Sequence, residues 1–291
     1  MANLKEIKNR ITSISSTMQI TSAMKMVSAS KLKRAQDAIT QMRPYAEKLQ
    51  EILGNLSATL DLSENAFADQ REVKNVIIVG VTSNRGLCGG FNNNIIKKAN
   101  MLIAGEYADC NIKLIAVGKK VNDSFKKSAN FTRPDGIGEA EEMFNDLTFE
   151  RSSVLAQYLM DEFQAGHVDK VVIVYNKFKN AAVQEVMDEQ FLPIIPTVAE
   201  AGSSTGDYLF EPSKVEIVED LLPKSLKVQL FKALLDSYAS EHGARMTAMH
   251  KATDNAGEMK RDLTLQYNKA RQAAITNEIL EIVGGAEALN G

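Results

Sequence analysis

Hydrophobic positions recur at alternating spacings of three and four along both ends of the chain, and fall into short unbroken runs through its middle. With Leu4 as heptad position a and Ile7 as d, the a row reads Leu4, Ile11, Met18, Lys25, Leu32, Ile39, Ala46 and Leu53. The d row reads Ile7, Ile14, Thr21, Ser28, Ala35, Met42, Leu49 and Leu56. Thirteen of these sixteen are apolar, where a 44% hydrophobic composition places about seven by chance, so the repeat describes a coiled-coil seam. It predicts a helix over residues 3–57, roughly 80 Å long at the usual rise per residue. A helix of that length needs an equally long partner. Pro44 is expected to kink or interrupt it.

The other end supplies the partner. After Pro223 no proline follows, and one row reads Val228, Leu235, His242, Met249, Ala256, Leu263, Ala270 and Asn277. The second reads Phe231, Tyr238, Arg245, Ala252, Met259, Gln266, Ala273 and Leu280. Twelve of these sixteen are apolar and four of them are Ala, which lets two helix axes approach closely. Helices at opposite ends of one chain are expected to pair antiparallel. The competing reading is two separate amphipathic helices, each packed on a core.

Between them, residues 76–81, 112–117 and 171–175 are nearly continuous apolar runs of the kind that buried parallel strands show. Residues 91–107 and 152–165 have helical patterns, giving the alternation of a doubly wound, Rossmann-like α/β domain. Residues 183–192 add an edge strand, and 199–212, rich in Gly and Ser, form a surface loop. The expected divisions are an N-terminal coiled-coil helix over 1–60, a central α/β domain over 70–212 and a C-terminal coiled-coil helix over 213–291.

Composition excludes several classes. The 291 residues include no Trp and 12 Met, and carry a formal charge of −3, so the chain as a whole lacks the basic excess of a nucleic-acid binder. Two cysteines, Cys88 and Cys110, cannot form a disulfide scaffold. The N-terminus has no apolar signal core and no run of 18 apolar residues occurs, so a soluble, cytoplasmic chain is expected. Residues 1–36 carry Lys5, Lys8, Arg10, Lys25, Lys31, Lys33 and Arg34 against Glu6 alone, seven minus one, or +6. No aromatic residue precedes Tyr45 to stack on bases, so a protein partner bearing carboxylates fits this patch better than nucleic acid.

Candidate chemistry is sparse. The turn from Gly80 to Phe91 follows the first strand, where phosphate loops sit, yet Gly86 precedes Leu87 and Cys88 rather than Lys-Ser/Thr, and no G-x-G-x-x-G spacing occurs. A structural turn is favoured. Cys88 is a candidate helix-N-terminal thiolate without an evident partner. His167, His242 and His250 have no metal-site spacing. Asp135, Glu139, Glu141, Glu142, Asp146 and Glu150 read as a solvated acidic face. No active site, cofactor site or metal site is expected.

Four segments resemble the gamma chain family of the rotary ATP synthase: Ile275-Thr-Asn-Glu-Ile-Leu-Glu-Ile-Val-Gly-Gly-Ala286, Ile20-Thr-Ser-Ala-Met-Lys-Met-Val-Ser-Ala-Ser-Lys-Leu32, Ser83-Asn-Arg-Gly-Leu-Cys-Gly-Gly-Phe-Asn92 and Tyr267-Asn-Lys-Ala-Arg-Gln-Ala273. The resemblance spans the chain. It implies a central rotor shaft without catalysis of its own, coupling proton flow through the membrane sector to ATP synthesis at the beta subunits. The implied partners are three alpha and three beta subunits, the epsilon subunit and the c-ring, with membrane association only through the complex. By the same resemblance Met24, Lys25, Lys31, Arg85, Arg245, Gln272 and Thr276 meet the catalytic ring, and Tyr208, Leu209 and Glu211 meet epsilon and the c-ring. The polar interruptions Thr21, Lys25, Ser28 and Arg245 are expected to weaken static grip on the ring, so that Lys25→Leu with Arg245→Leu slows turnover. The light-regulated plant and algal version carries a two-cysteine insertion in its second half. Both cysteines here precede residue 111, so no thiol switch is expected, and the absence of a transit peptide favours a bacterial source with a peripheral place on the cytoplasmic face of the inner membrane. Two other readings stay open: a nucleotide-binding α/β enzyme with helical arms, and a static coiled-coil scaffold.

Overall fold

The computed structural model describes residues 4–57, 66–134, 140–194 and 214–290. Its elements run α1 (Leu4–Ser57), β1 (Asn75–Val81), α2 (Phe91–Ala104), β2 (Asn111–Val117), α3 (Lys119–Phe125), a 3-10 segment (Ala140–Asn145), α4 (Phe149–Gln164), β3 (Lys170–Phe178), β4 (Gln184–Leu192) and α5 (Lys214–Asn290). The architecture is the expected mixed α/β fold with long helices at both ends. The chain divides into two compact units, one comprising Met1–Ser28 with Met246–Gly291, the other Ala29–Arg245.

The second unit is built on a four-stranded sheet of order β2-β1-β3-β4. β1 pairs parallel with β2 and β3, and β4 closes the edge antiparallel to β3. Because successive side chains point to opposite faces, each apolar run fills two cores. Ile77, Val79, Ile115, Val171 and Ile173 pack with Leu155, Leu159 and Phe163 of α4 and with Leu222, Leu226, Leu230 and Leu234 of α5. Val76, Ile78, Leu114, Val172 and Val174 pack on the other face with Ile95, Ala99 and Leu102 of α2 and Val121 and Phe125 of α3. Each fully buried aliphatic side chain contributes about 1.5–3 kcal/mol, which explains why these strands tolerate no polar alternation. Asp169 joins the strand starts, its Oδ2 accepting from the backbone N–H groups of Lys74 at 3.0 Å and Asn75 at 2.8 Å.

Between residues 222 and 245, α5 is buried on nearly every side, and its buried positions there include the polar and charged residues Asp236, Ser237, Ser240, Glu241, His242 and Arg245. α1 stays helical through Pro44, contrary to the expected interruption, and α5 begins nine residues before Pro223. Pro44 lies on an exposed face, where water can take up the carbonyl that its missing N–H leaves unbonded. Neither α3 nor the 3-10 segment has bounds that the sequence pattern predicts. Both are short and rich in polar residues, without a legible period.

The first unit pairs the chain ends antiparallel. Thr21 Oγ1 and Thr253 Oγ1 share a hydrogen bond of 2.8 Å, and Lys260 Nζ donates to Ser15 Oγ at 3.2 Å, so residue numbers across the pair sum to about 275. On α1 every expected a and d position from Leu4 to Leu53 is buried or half-buried. On α5 the first row holds as far as Ala270, with Met249 and Ala256 buried and Leu263 and Ala270 half-buried, and its last member, Asn277, is exposed. The second row is one residue further on beyond Ala252, which is half-buried together with Thr253: Lys260, Tyr267 and Ala274 line the seam, whereas Met259, Gln266 and Ala273 are exposed.

Candidate functional site

The 83–90 turn and the α5 segment opposite it form one network in the second unit. Arg245 is the centre. Its Nη1 donates to Glu241 Oε1 at 2.6 Å, its Nη2 to the Arg85 carbonyl at 3.1 Å and its Nε to the Gly86 carbonyl at 3.3 Å. His242 Nδ1 lies 3.4 Å from Nη1 and accepts from it, which puts the imidazole proton on Nε2. That Nε2 has no hydrogen-bond partner among the described residues. The Tyr238 ring meets the His242 ring edge to face at 4.5 Å and stacks on Phe144 at 5.9 Å.

Electrostatics follow from burial. The Glu241 carboxyl is pushed above its ordinary range by burial, with the Arg245 guanidinium pulling the other way. His242 is held neutral: burial first, then the positive charges of Arg245 and Lys31, push it down to about 3.

The turn is fastened internally as well. Ser83 donates to Asn92 Oδ1 through both its backbone N–H and its hydroxyl, each at 3.0 Å, and Asn92 Nδ2 donates to Cys88 Sγ at 3.1 Å. Ser240 Oγ donates to the Asn176 carbonyl at 2.9 Å, and Asn176 Nδ2 to the Phe91 carbonyl at 3.3 Å, tying α5, β3 and the start of α2 together. Gly118, with φ at +96°, lets the ends of β1 and β2 converge beside this turn; a Cβ there falls 2.0 Å from the Thr82 carbonyl oxygen. Cys88 differs from the thiolate expected at a helix N-terminus. Its thiol is buried among these groups and burial raises its pKa, so it is not an activated helix-terminal thiolate. What the turn presents outward is Arg85, exposed, and Leu87, 65% exposed and held in the left-handed region at φ 64°. A bulky side chain at positive φ is strained, and such residues concentrate where a surface is shaped for contact.

The expected contact residues fall into separate places. Arg85 and Arg245 come together, with Lys31 close enough to act electrostatically on Glu241 and His242. Arg245 is no surface group: its side chain is 7% exposed, and its guanidinium is engaged inside the chain. In the first unit Met24 and Lys25 are half-buried, and Gln272 and Thr276 are exposed. The antiparallel register puts Gln272 and Met24 roughly 22 residues, or about 33 Å, apart along the pair. Past Ala274 the apolar side chains of Ile275, Ile279, Leu280, Ile282 and Val283 are 47–71% exposed. Tyr208, Leu209 and Glu211 lie outside the described residues, as do Asp135 and Glu139. Glu241, His242 and Leu87 were missed. The signal for the first was available in the Glu-to-Arg spacing of four inside an apolar repeat, which marks an ion pair within one helix.

Among the described residues no group of three or more His, Cys, Asp or Glu is arranged to hold a metal ion, and no helix is long and apolar enough to cross a membrane.

Chain ends paired as an antiparallel helical shaft, together with a doubly wound unit whose glycine-rich turn is fastened to the C-terminal helix, define a stalk-type protein. The family model described as ATP synthase matches residues 3–289. The ATP synthase gamma chain of Flavobacterium psychrophilum is 62% identical over the whole of both chains. Among solved structures, a chain of the Euglena gracilis mitochondrial ATP synthase rotor has a TM-score of 0.63 at 21% identity, covering 94% of this chain and 98% of that one. A chain of the Tetrahymena thermophila mitochondrial ATP synthase central stalk and c-ring has a TM-score of 0.57 at 22% identity, covering 80% and 99%. The chain belongs to the ATP synthase gamma chain family.

Proposed function

We propose that this chain is the central rotor shaft of a proton-translocating ATP synthase, turning inside a ring of three alpha and three beta subunits and carrying no catalytic site itself. The observation that carries the reading is the antiparallel pairing of the two chain ends through Thr21–Thr253 and Ser15–Lys260, which leaves an outer face bearing Gln272 and Thr276. Swinging a two-state catalytic site from 1:99 to 99:1 takes about 5.5 kcal/mol of differential contact, which an asymmetric shaft can deliver and a smooth rod cannot. Met24, Lys25, Lys31, Arg85, Gln272 and Thr276 make the contacts. Arg245 acts through the turn it fastens, so its part in the ring contact is to position Arg85 and Leu87. Epsilon and the c-ring meet the segment around Tyr208, Leu209 and Glu211, and the complex sits on the cytoplasmic face of the bacterial inner membrane. The helical ends, 1–60 and 213–291, and the α/β domain, 70–212, divide these tasks.

Reconstitution with alpha and beta chains, with a probe fixed to this chain and ATP supplied, tests the proposal. Stepwise turning of the probe is expected. Hydrolysis of ATP beneath a stationary probe overturns it.

A further inference from the structure

The second α5 row poses a physical problem. The row that faces α1, Thr253, Lys260, Tyr267 and Ala274, is less apolar than the neighbouring row, Ala252, Met259, Gln266 and Ala273, which is half-buried at Ala252 and exposed at the other three. Met259 is 55% exposed while Lys260 is half-buried. Hydrophobic burial alone favours turning α5 so that the other row faces inward.

We infer that the two polar rungs, Thr21–Thr253 and Ser15–Lys260, set the rotational position of α5 on α1. Thr21 is 8% exposed, and its hydroxyl meets Thr253 Oγ1 at 2.8 Å while Thr253 donates to the Met249 carbonyl at 2.8 Å. Lys260 reaches Ser15 Oγ at 3.2 Å. The neighbouring row offers α1 no group that pairs with both hydroxyls at this spacing, because Ala252 and Met259 replace Thr253 and Lys260 there. A polar residue at a seam position is the recognised device by which a coiled coil selects one setting among near-equal ones, at some cost in stability. The surrounding seam is weakly selective by itself, since Ala256, Ala270 and Ala274 present little shape to interlock.

The setting has a consequence for the outer face. Neighbouring residues are separated by about 100° around a helix, so exchanging one of the two rows turns the seam by about 50°. With Ala270 and Ala274 facing α1, Gln272 points about 180° away from the seam; with Ala270 and Ala273 facing it, Gln272 swings to about 130°. The rungs therefore decide how Gln272 and Thr276 are presented, and this part rests on the proposed reading that both meet the ring.

The test compares Ala273→Cys with Ala274→Cys in the full chain carrying Cys110→Ala, by maleimide labelling rate. In the parent, position 273 is expected to label about tenfold faster than 274, and Ser15→Ala with Thr21→Ala, which leaves α5 unaltered, brings the ratio towards one. Ser15→Thr with Thr21→Ser, which keeps both hydroxyls, preserves the parent ratio. An unchanged ratio in the alanine variant overturns the inference. Should that double variant lose its helical signal, the single replacements, each removing one rung, decide the matter by the same ratio. ATP turnover of the reconstituted complex is read separately: a changed ratio with unchanged turnover upholds the rungs and removes the ring-facing reading of Gln272.

Discussion

Arg245 and Glu241, one helical turn apart on α5, form an ion pair of 2.6 Å in which both side chains are only 7% exposed. The remaining guanidinium donors reach the carbonyls of Arg85 and Gly86, about 160 residues earlier in the chain. The pair therefore joins two distant segments. Removing one member leaves the other charge buried without compensation, which typically costs about 3–5 kcal/mol. Arg245→Leu is expected to destabilise the second unit by that order in urea unfolding, and Arg245→Leu with Glu241→Leu to recover a large part of the loss. Equal losses in the single and double variants would show that the carbonyl contacts, rather than the pair, carry the energy.

His242 gives the chain a measurable weakness to mild acid. The unfolded imidazole takes up a proton near its ordinary value of 6.5, while the folded one stays neutral down to about 3. Between those values the unfolded state binds more protons, so stability falls as the pH is lowered, by at most about 1.4 kcal/mol per pH unit. His242→Phe preserves an aromatic ring for Tyr238 and removes this slope. Urea midpoints at pH 7.5 and 5.5 are expected to differ less in the variant than in the parent.

Asp236 acts with the opposite sign. Burial raises its carboxyl to about 6 from an ordinary 3.8, against the pull of Lys232, Lys177 and Arg43 and with a push from Glu189. The folded state holds this proton where the unfolded state has released it, so stability falls as pH rises from about 4 to 6. Asp236→Asn is expected to raise the unfolding free energy at pH 7.5 by about 1–3 kcal/mol and to change it little at pH 3.5. A variant no more stable than the parent at pH 7.5 contradicts this.

The chain's thiols should give no redox response. Cys88 is buried with a raised pKa, and Cys110 Sγ lies 3.4 Å from the Val73 carbonyl with no second thiol beside it among the described residues. Dithiothreitol is expected to leave the ATPase rate of the reconstituted complex unchanged, and a several-fold rise on reduction would count against this.

The elements most legible in the sequence were those that packing dictates strongly. The α1 seam held at each position from Leu4 to Leu53 because one face of a long helix has a single apolar stripe to bury. The three central strands were equally plain, being buried on both faces. The second α5 row was displaced because apolarity ranks Met259 above Lys260, whereas hydrogen bonds to Ser15 and Thr21 favour the reverse, and such partners appear only once two helices have been brought together. For the same reason Arg245 read as a surface interruption. Its partners are backbone carbonyls of Arg85 and Gly86, which a side-chain pattern does not reveal. Leu87, whose outlying backbone marks the exposed tip of that turn, carries no sequence signal at all beyond its glycine neighbours.

Gly243 sits in the middle of α5, where Ala is ordinarily better by about 1 kcal/mol, so its presence calls for a steric reason. A Cβ at this position meets the Cα of Ala181 at 3.2 Å, the Ala181 carbonyl oxygen at 3.4 Å and Phe178 Cε2 at 3.4 Å. Two of these three atoms belong to backbone, in the turn joining β3 to β4, and that turn is braced. Asn180 Oδ1 accepts from the N–H groups of Ala182 and Val183 at 2.9 Å each, and Gln184 Nε2 donates to the Ala181 carbonyl at 3.1 Å. Accommodating a methyl group requires the turn to retreat by a few tenths of an ångström against those bonds. Overpacking of this kind costs about 1–3 kcal/mol, enough to offset or exceed the helix-propensity gain. Gly243→Ala is therefore expected to leave stability unchanged or lower it by about 1 kcal/mol, and Gly243→Val, with two further methyls and a stiffer χ1, to lower it by about 3 kcal/mol or more. Thermal unfolding of the two variants checks the order. A stabilised Gly243→Ala would show that the hairpin turn yields, and that the close approach of α5 to Ala181 does not depend on glycine.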